Sequence, residues 1–204
     1  MSTRTRRGSP RTADYYIALG SNLGDREAAL RKAWAMLTDL CLNALRDPAK
    51  SAAYHDAKSV EYPDADLVEL SPLYETRPMY VVDQPLYLNA VGRLAWGIGP
   101  NVMLDHLHRI ENEMGRDRTK ELRMGPRTLD LDILLYGDLV LDSPTLTIPH
   151  PRMTERMFVL VPLLALSPRL RDPRTGIRFA ESLALLRSGI DETDAGGVYL
   201  YPSG

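Results

Sequence analysis

Hydrophobic and polar positions along the chain recur at two periods, and the switches between them outline the elements. Tyr15 to Leu19 is a short strand ending in the turn Gly20-Ser21-Asn22-Leu23-Gly24-Asp25. From about Asp25 to Cys41, Leu30, Ala33, Trp34, Leu37 and Cys41 recur at helical spacing. Residues 42–66 have no clear period and read as an insertion. Leu67 to Tyr74 is a strand that Pro72 interrupts, which puts it at an edge or bulge. Glu75 to Pro85 is a loop. Leu86 to Trp96 alternates, with Leu88, Ala90, Gly92, Leu94 and Trp96 on one face and Tyr87, Asn89, Val91 and Arg93 on the other. Gly97 to Pro100 turns into a helix through Met114, striped by Met103, Leu107, Ile110 and Met114 and stopped by Gly115. An aspartate-bearing strand follows at 129–136, then a short strand Thr145 to Ile148 and helices from about Thr154 to Leu166 and Phe179 to Arg187. The order β-α-β-β-α-β is that of a split βαβ, ferredoxin-like antiparallel sheet with its helices on one face. With the later helices, the expected class is α+β, a three-layer α/β/α sandwich.

Composition narrows this reading little. The chain has 204 residues, 44% hydrophobic and 25% charged, which suits one globular domain over 14–204. A net charge of −2 gives no reason to expect nucleic acid. The single cysteine, Cys41, cannot form an internal disulfide, fits a reducing compartment, and lies on an apolar helix face as a buried thiol. The run Phe158 to Leu166, nine residues containing Pro162, is too short to span a membrane. Residues 1–13 carry four arginines and no acid, with no apolar face, and are expected to be a disordered basic tail.

Chemistry concentrates in Gly125-Pro126-Arg127-Thr128-Leu129-Asp130-Leu131-Asp132-Ile133-Leu134-Leu135-Tyr136. In a strand Asp130 and Asp132 share a face, roughly 7 Å apart, while Leu129, Leu131, Ile133 and Leu135 face a core. Two ionised carboxylates so placed repel by about 2 kcal/mol at an effective dielectric near 20. A hard divalent cation such as Mg²⁺ removes that penalty. The preceding stretch 115–128 adds Arg116, Arg118, Lys120, Arg123 and Arg127 against Asp117 and Glu121. A cationic loop feeding a two-aspartate strand suits Mg²⁺-polyphosphate chemistry. A salt-bridged surface loop beside an edge strand has the same local composition. No G-x-x-x-x-G-K-[ST] phosphate loop is present, so a nucleotide would be held another way.

Four blocks together resemble the 6-hydroxymethyl-7,8-dihydropterin pyrophosphokinases of folate synthesis, over most of residues 14–180. They are Tyr16 to Asp25; Ser71 to Thr76 with Asp83 to Ala90; Gly125 to Leu134; and Ile148 to Met153 with Arg156 and Phe158. The resemblance implies transfer of pyrophosphate from ATP to the pterin, with release of AMP. It implies two Mg²⁺ ions on Asp130 and Asp132, and Arg116 and Arg127 on the phosphates. Glu111, Arg118, Lys120, Arg123, Ile133, His150 and Arg156 would hold ATP. Tyr87 and Phe158 would sandwich the pterin, while Asn89 and the stretch Thr76, Arg77 and Met79 would read its polar edge. The partners it implies are these two substrates; the chain is further expected to be a cytoplasmic monomer, with neither nucleic acid nor membrane. Taken singly, Tyr87 reads equally as a cross-strand aromatic, Phe158 as core, and His150 as a loop histidine.

The chain departs from the family pattern in four places. The 117–124 loop is about one residue longer, Met124 stands where an aromatic is common, Arg77 stands where a second proline is common, and the 42–66 segment is longer. Two rivals remain from the residues alone: another Mg²⁺-dependent phospho- or nucleotidyltransferase, and a nucleic-acid-binding ferredoxin-like module. The second is disfavoured by the charge and by the lack of an R-G-F-x-F type strand.

Overall fold

The computed structural model describes residues 13–46, 68–79, 83–116, 125–189 and 197–202. Strand β1 (Ala13–Ser21) is an inner strand of the sheet, as both its faces can be buried. Tyr15, Ile17 and Leu19 point to one side, and Tyr16 and Ala18 to the other. Helix α1 (Arg26–Arg46) starts where the Asp25 carboxylate accepts the Ala28 N–H at 3.0 Å, a side-chain N-cap. It runs five residues past Cys41, since Ala44 continues the buried stripe of Leu30, Ala33, Leu37 and Cys41. Residues 42–46 therefore belong to α1. The rest of the expected insertion and the tail before Ala13 lie outside the described residues.

The strand expected over 67–74 is two strands, β2 (Val68–Leu70) and β3 (Tyr74–Thr76), each paired with β4 (Tyr87–Trp96). Pro72 separates them, and the strand reaches into the expected 75–85 loop as far as Thr76. Helix α2 (Pro100–Glu113) opens on a proline at its first turn, where no amide hydrogen is needed. It buries Met103, Leu107 and Ile110. His106 is also buried and stacks on Trp96. Strand β5 (Asp130–Tyr136) completes the ferredoxin-like core.

The sheet order is β5-β1-β4-β3-β8, antiparallel throughout, with β2 also on β4. Strand β8 (Val198–Leu200) extends the β3 edge, and a hairpin of β6 (Leu141–Asp142) and β7 (Thr147–Ile148) forms a separate two-stranded sheet. Neither β6 nor β8 was expected. A two- or three-residue strand is too short to show a period, and its pairing partner is distant in sequence.

Helices α1 and α2 cover one face with a core that includes Leu30, Leu37, Met103, Leu107, Leu131 and Ile133. Helices α3 (Met157–Leu166) and α4 (Phe179–Ser188) cover part of the other with Leu160, Leu163, Phe179 and Leu183, against Tyr16, Val91, Leu134 and Leu135. A single 3₁₀ turn, Met153–Glu155, precedes α3 where a continuous helix was expected. Helices on both faces make the three-layer α/β/α sandwich of an α+β fold. Leu135 departs from expectation. The pairing register of β1 and β5 shifts between Tyr16 and Ile17, so Leu134 and Leu135 both enter the α3/α4 core. Cys41 is buried as expected, and burial pushes its thiol up to about 12.

Candidate active site

The α3/α4 face is only partly covered, and its open end holds a cavity of about 360 Å³. Three neighbouring strands set its floor. Gly20 of β1 pairs with Asn89 of β4 on one side and Asp130 of β5 on the other; one step along, Ala18 pairs with Val91 and Asp132. The small residues of β1 thus open a trough between an amide and two carboxylates. At Gly20 a Cβ would stand 3.1 Å from Asn89 Oδ1, so glycine is what allows the amide to lie across β1. Asn89 is itself aimed by Nδ2 donating to Thr76 Oγ1 at 2.7 Å, both residues being buried.

At the β5 side the expected aspartates share the cavity face. Asp130 accepts from Arg116 Nη1 at 2.6 Å and from Arg127 Nη1 at 2.9 Å, one arginine on each oxygen. Arg116 also donates to Glu111, whose Oε1 accepts the Leu131 N–H at 2.9 Å as well. Burial, then the neighbouring Asp130 charge, pushes the Asp132 carboxyl up to about 6. His150 Nδ1 accepts the Arg152 N–H at 3.2 Å. Burial, then Arg156 and Arg152, holds that imidazole down at about 4, hence neutral at pH 7. Arg156 is nine-tenths buried, its guanidinium carbon lies 5.6 Å from the Phe158 ring centre, and its Nε finds no acceptor among the described residues. A buried cationic donor left so is suited to an anionic ligand.

Of the residues expected in the site, Arg116, Arg127, Asp130, Asp132, His150 and Arg156 line the cavity on the charged side. Thr76, Arg77, Met79, Tyr87, Asn89 and Phe158 line it on the other. Two do not. Glu111 is fully buried behind the wall, where it braces Arg116 and β5, and Ile133 points its side chain into the α1/α2 core. Arg118, Lys120 and Arg123 lie outside the described residues.

Sequence reasoning passed over Ala18, Gly20, Gln84 and Arg152, which also line the cavity. The signal for the first two was the alternation of small with large residues in Ile17-Ala18-Leu19-Gly20. Asn22, read only as part of a turn, is buried. It donates to Gln84 Oε1 at 3.2 Å and Pro85 O at 3.3 Å, and accepts the Arg127 N–H at 2.8 Å. It ties the segment before Tyr87 to the segment before Asp130. No period in the sequence could show that contact.

Mg²⁺ needs hard oxygen donors in a near-octahedral set. Among the described residues no three His, Cys, Asp or Glu side chains converge on one point. Two carboxylates on one strand face are nonetheless what Mg²⁺ uses when substrate phosphates supply its other oxygens. The burial of Asp132 beside Asp130 is the like-charge arrangement a cation relieves. The residues fit.

Residues 16–168 match the family described as 7,8-dihydro-6-hydroxymethylpterin-pyrophosphokinase. The chain is 38% identical over 184 residues to the 2-amino-4-hydroxy-6-hydroxymethyldihydropteridine pyrophosphokinase of Bacillus subtilis, covering 87% of this chain and 93% of that one. It is 39% identical over 188 residues to the folic acid synthesis protein fol1 of Schizosaccharomyces pombe, which it covers for only 21% of its length against 92% of its own. A crystal structure of Plasmodium falciparum HPPK-DHPS superposes with a TM-score of 0.58 at 15% identity, over 92% of this chain and 48% of that one, a likeness of fold. The chain belongs to the 6-hydroxymethyl-7,8-dihydropterin pyrophosphokinase family.

Proposed function

We propose that the cavity is where this pyrophosphokinase moves the β,γ-pyrophosphoryl group of ATP onto the hydroxymethyl oxygen of 6-hydroxymethyl-7,8-dihydropterin. One observation carries the assignment: Asn89 and the Asp130/Asp132 pair face one another across Gly20 on a single sheet surface. A flat heteroaromatic wants an amide for its polar edge and rings for its faces; Asn89, Tyr87 and Phe158 supply both. Thr76, Arg77 and Met79 close that side. The polyphosphate falls to the other side, under Arg116, Arg127, Arg156 and neutral His150.

The hydroxymethyl oxygen attacks the β-phosphorus in line, the bond from that phosphorus to the α,β-bridging oxygen breaks, AMP leaves, and the hydroxyl proton passes to solvent. Two Mg²⁺ ions, held by Asp130 and Asp132, would neutralise phosphate charge when bound. The chain's own part is positioning and charge stabilisation, which dominate such transfers. Asn89 fixes the pterin edge, Arg127 and Arg116 meet charge that builds on the phosphates, and Glu111 holds Arg116 in place. We read the protein as a cytoplasmic monomer acting on these two small molecules, without nucleic acid or membrane. A net charge of −2 offers nucleic acid little attraction and a buried lone thiol fits a reducing compartment; no helix among the described residues is long and apolar enough to cross a membrane.

The test is to incubate the protein with ATP, Mg²⁺ and 6-hydroxymethyl-7,8-dihydropterin and to separate the nucleotides. AMP formed in step with pterin pyrophosphate is expected. ADP as the pterin-dependent product would assign a different phosphotransfer.

A further inference from the structure

Asp130 is the better placed of the two carboxylates to receive a cation from the cavity, yet both its oxygens already accept from guanidinium groups. Arg116 takes Oδ1 at 2.6 Å and Arg127 takes Oδ2 at 2.9 Å. The two arginines are anchored differently. Arg116 has a side chain only 6% exposed, and the Nη1 that reaches Asp130 also donates to fully buried Glu111. Arg127 is more exposed, at 17%, and its Nε donates to Gly125 O at a long 3.3 Å. Arg127 is therefore the more readily displaced of the two, and it already lines the cavity. Asp130 and Asp132 share the cavity with Arg116, Arg127 and Arg156, so guanidinium charge already faces the carboxylates that a cation would use. No third carboxylate, histidine or thiol among the described residues helps the two aspartates form a cage.

We propose that Arg127, backed by Arg116, makes the site discriminate between a bare divalent cation and a cation already carried by a polyphosphate. A bare cation must displace guanidinium from Asp130 and gains no new partner for the displaced charge. A metal–polyphosphate complex brings phosphate oxygens that accept the guanidinium while the metal takes the carboxylate. The exchange swaps one set of charge-assisted bonds for another, so it proceeds only when both arrive together. Arg127 thus acts on which form of the metal is admitted, apart from any action on transferred charge. The inference rests on the pyrophosphokinase reading and on Asp130 and Asp132 as metal ligands.

The experiment titrates the full chain with Mn²⁺, following the free-ion paramagnetic resonance signal, with and without α,β-methylene ATP. Wild type, Arg127→Met and Arg127→Lys are compared. Arg127→Met is expected to bind Mn²⁺ about tenfold more tightly than wild type without nucleotide, the size of one charged hydrogen bond removed from competition. With the analogue the order should invert, the variant binding more weakly than wild type. Arg127→Lys, which keeps a cation beside Asp130, should restore the wild-type order in part. A merely structural loss would weaken both titrations together. If the analogue strengthens Mn²⁺ binding in wild type but Arg127→Met leaves nucleotide-free affinity unchanged, the discrimination is overturned and the pyrophosphokinase site stands. If Mn²⁺ and the analogue do not bind wild type in any combination, the site reading itself fails, and this inference with it.

Discussion

The two faces of the sheet are built from the same strands to opposite ends. On the α1/α2 face, β5 presents Leu131 and Ile133, β4 presents Leu88 and Leu94, and β1 presents Tyr15 and Ile17, and two helices pack over them. On the other face the neighbours of those residues are Asp130, Asp132, Asn89, Ala18 and Gly20, and α3 and α4 stop short of them. The period-2 geometry of a strand lets one face supply stability while the other keeps polar groups that a core would not tolerate. Gly92 and Gly20 show the contrast in one residue type. Gly92 lies under the Trp34 ring, which a Cβ would meet at 2.2 Å; Gly20 lies under the cavity, where a Cβ would crowd only Asn89 at 3.1 Å.

That contrast can be broken by substitution, and the largest expected effect is at Asp130. Asp130→Asn should abolish most turnover. It should also cost about 1–3 kcal/mol of stability, because Arg116 and Arg127 lose an ionised partner and Arg116 is buried. Near-normal turnover at limiting Mg²⁺ would remove the metal assignment. Next comes Gly92→Ala, which should cost about 1–3 kcal/mol by overpacking Trp34, while Gly20→Ala should unfold at nearly the wild-type denaturant midpoint and lose pterin affinity. Equal unfolding midpoints for the two variants would erase the distinction between the faces.

A smaller effect is expected for the rings. Tyr87→Ala and Phe158→Ala should each weaken pterin binding by roughly 1–3 kcal/mol, by analogy with base stacking, and leave ATP affinity almost unchanged. Calorimetry with pterin in the presence of a non-hydrolysable ATP analogue and Mg²⁺ reads this directly. Unchanged pterin affinity in both variants would end the sandwich.

The smallest effects lie in pH. With its carboxyl up at about 6, Asp132 takes a proton more readily in the folded chain than in the unfolded one. Its contribution to stability therefore grows as pH falls from 7 through 6 toward its ordinary range. His150, held down at about 4, works the other way and loses stability as pH falls below 6.5. His150→Gln should thus gain stability relative to wild type between pH 7 and pH 5. Over the same range the Mg²⁺ concentration for half-maximal turnover should rise, because the cation competes with a proton on Asp132. A Mg²⁺ requirement identical at pH 7.5 and 5.5 would speak against Asp132 as a ligand.

Much of this division was legible in the chain. The alternation in Tyr87 to Trp96 assigned both faces of β4 correctly, and the D-x-D spacing put Asp130 and Asp132 together on the cavity side. What failed to show has physical causes. The bulge that turns Leu135 inward depends on pairing with β1, not on local pattern. The floor at Ala18 and Gly20 is defined by what lies across neighbouring strands. Glu111, expected to hold ATP, lies instead on the buried side of α2, where its carboxylate accepts from Arg116.

Asp132 and Ile133 are adjacent on β5 and face opposite ways, so one paired measurement tests the account most directly: turnover and unfolding free energy of Asp132→Asn and Ile133→Ala. Asp132→Asn should lose most AMP formation while stability holds or rises, since a buried, repelled charge is removed. Ile133→Ala should lose about 2–5 kcal/mol of stability and, at a temperature where it is folded, keep most of its turnover. Loss of stability without loss of turnover in Asp132→Asn, or the reverse in Ile133→Ala, would contradict the assignment of chemistry to one face and stability to the other.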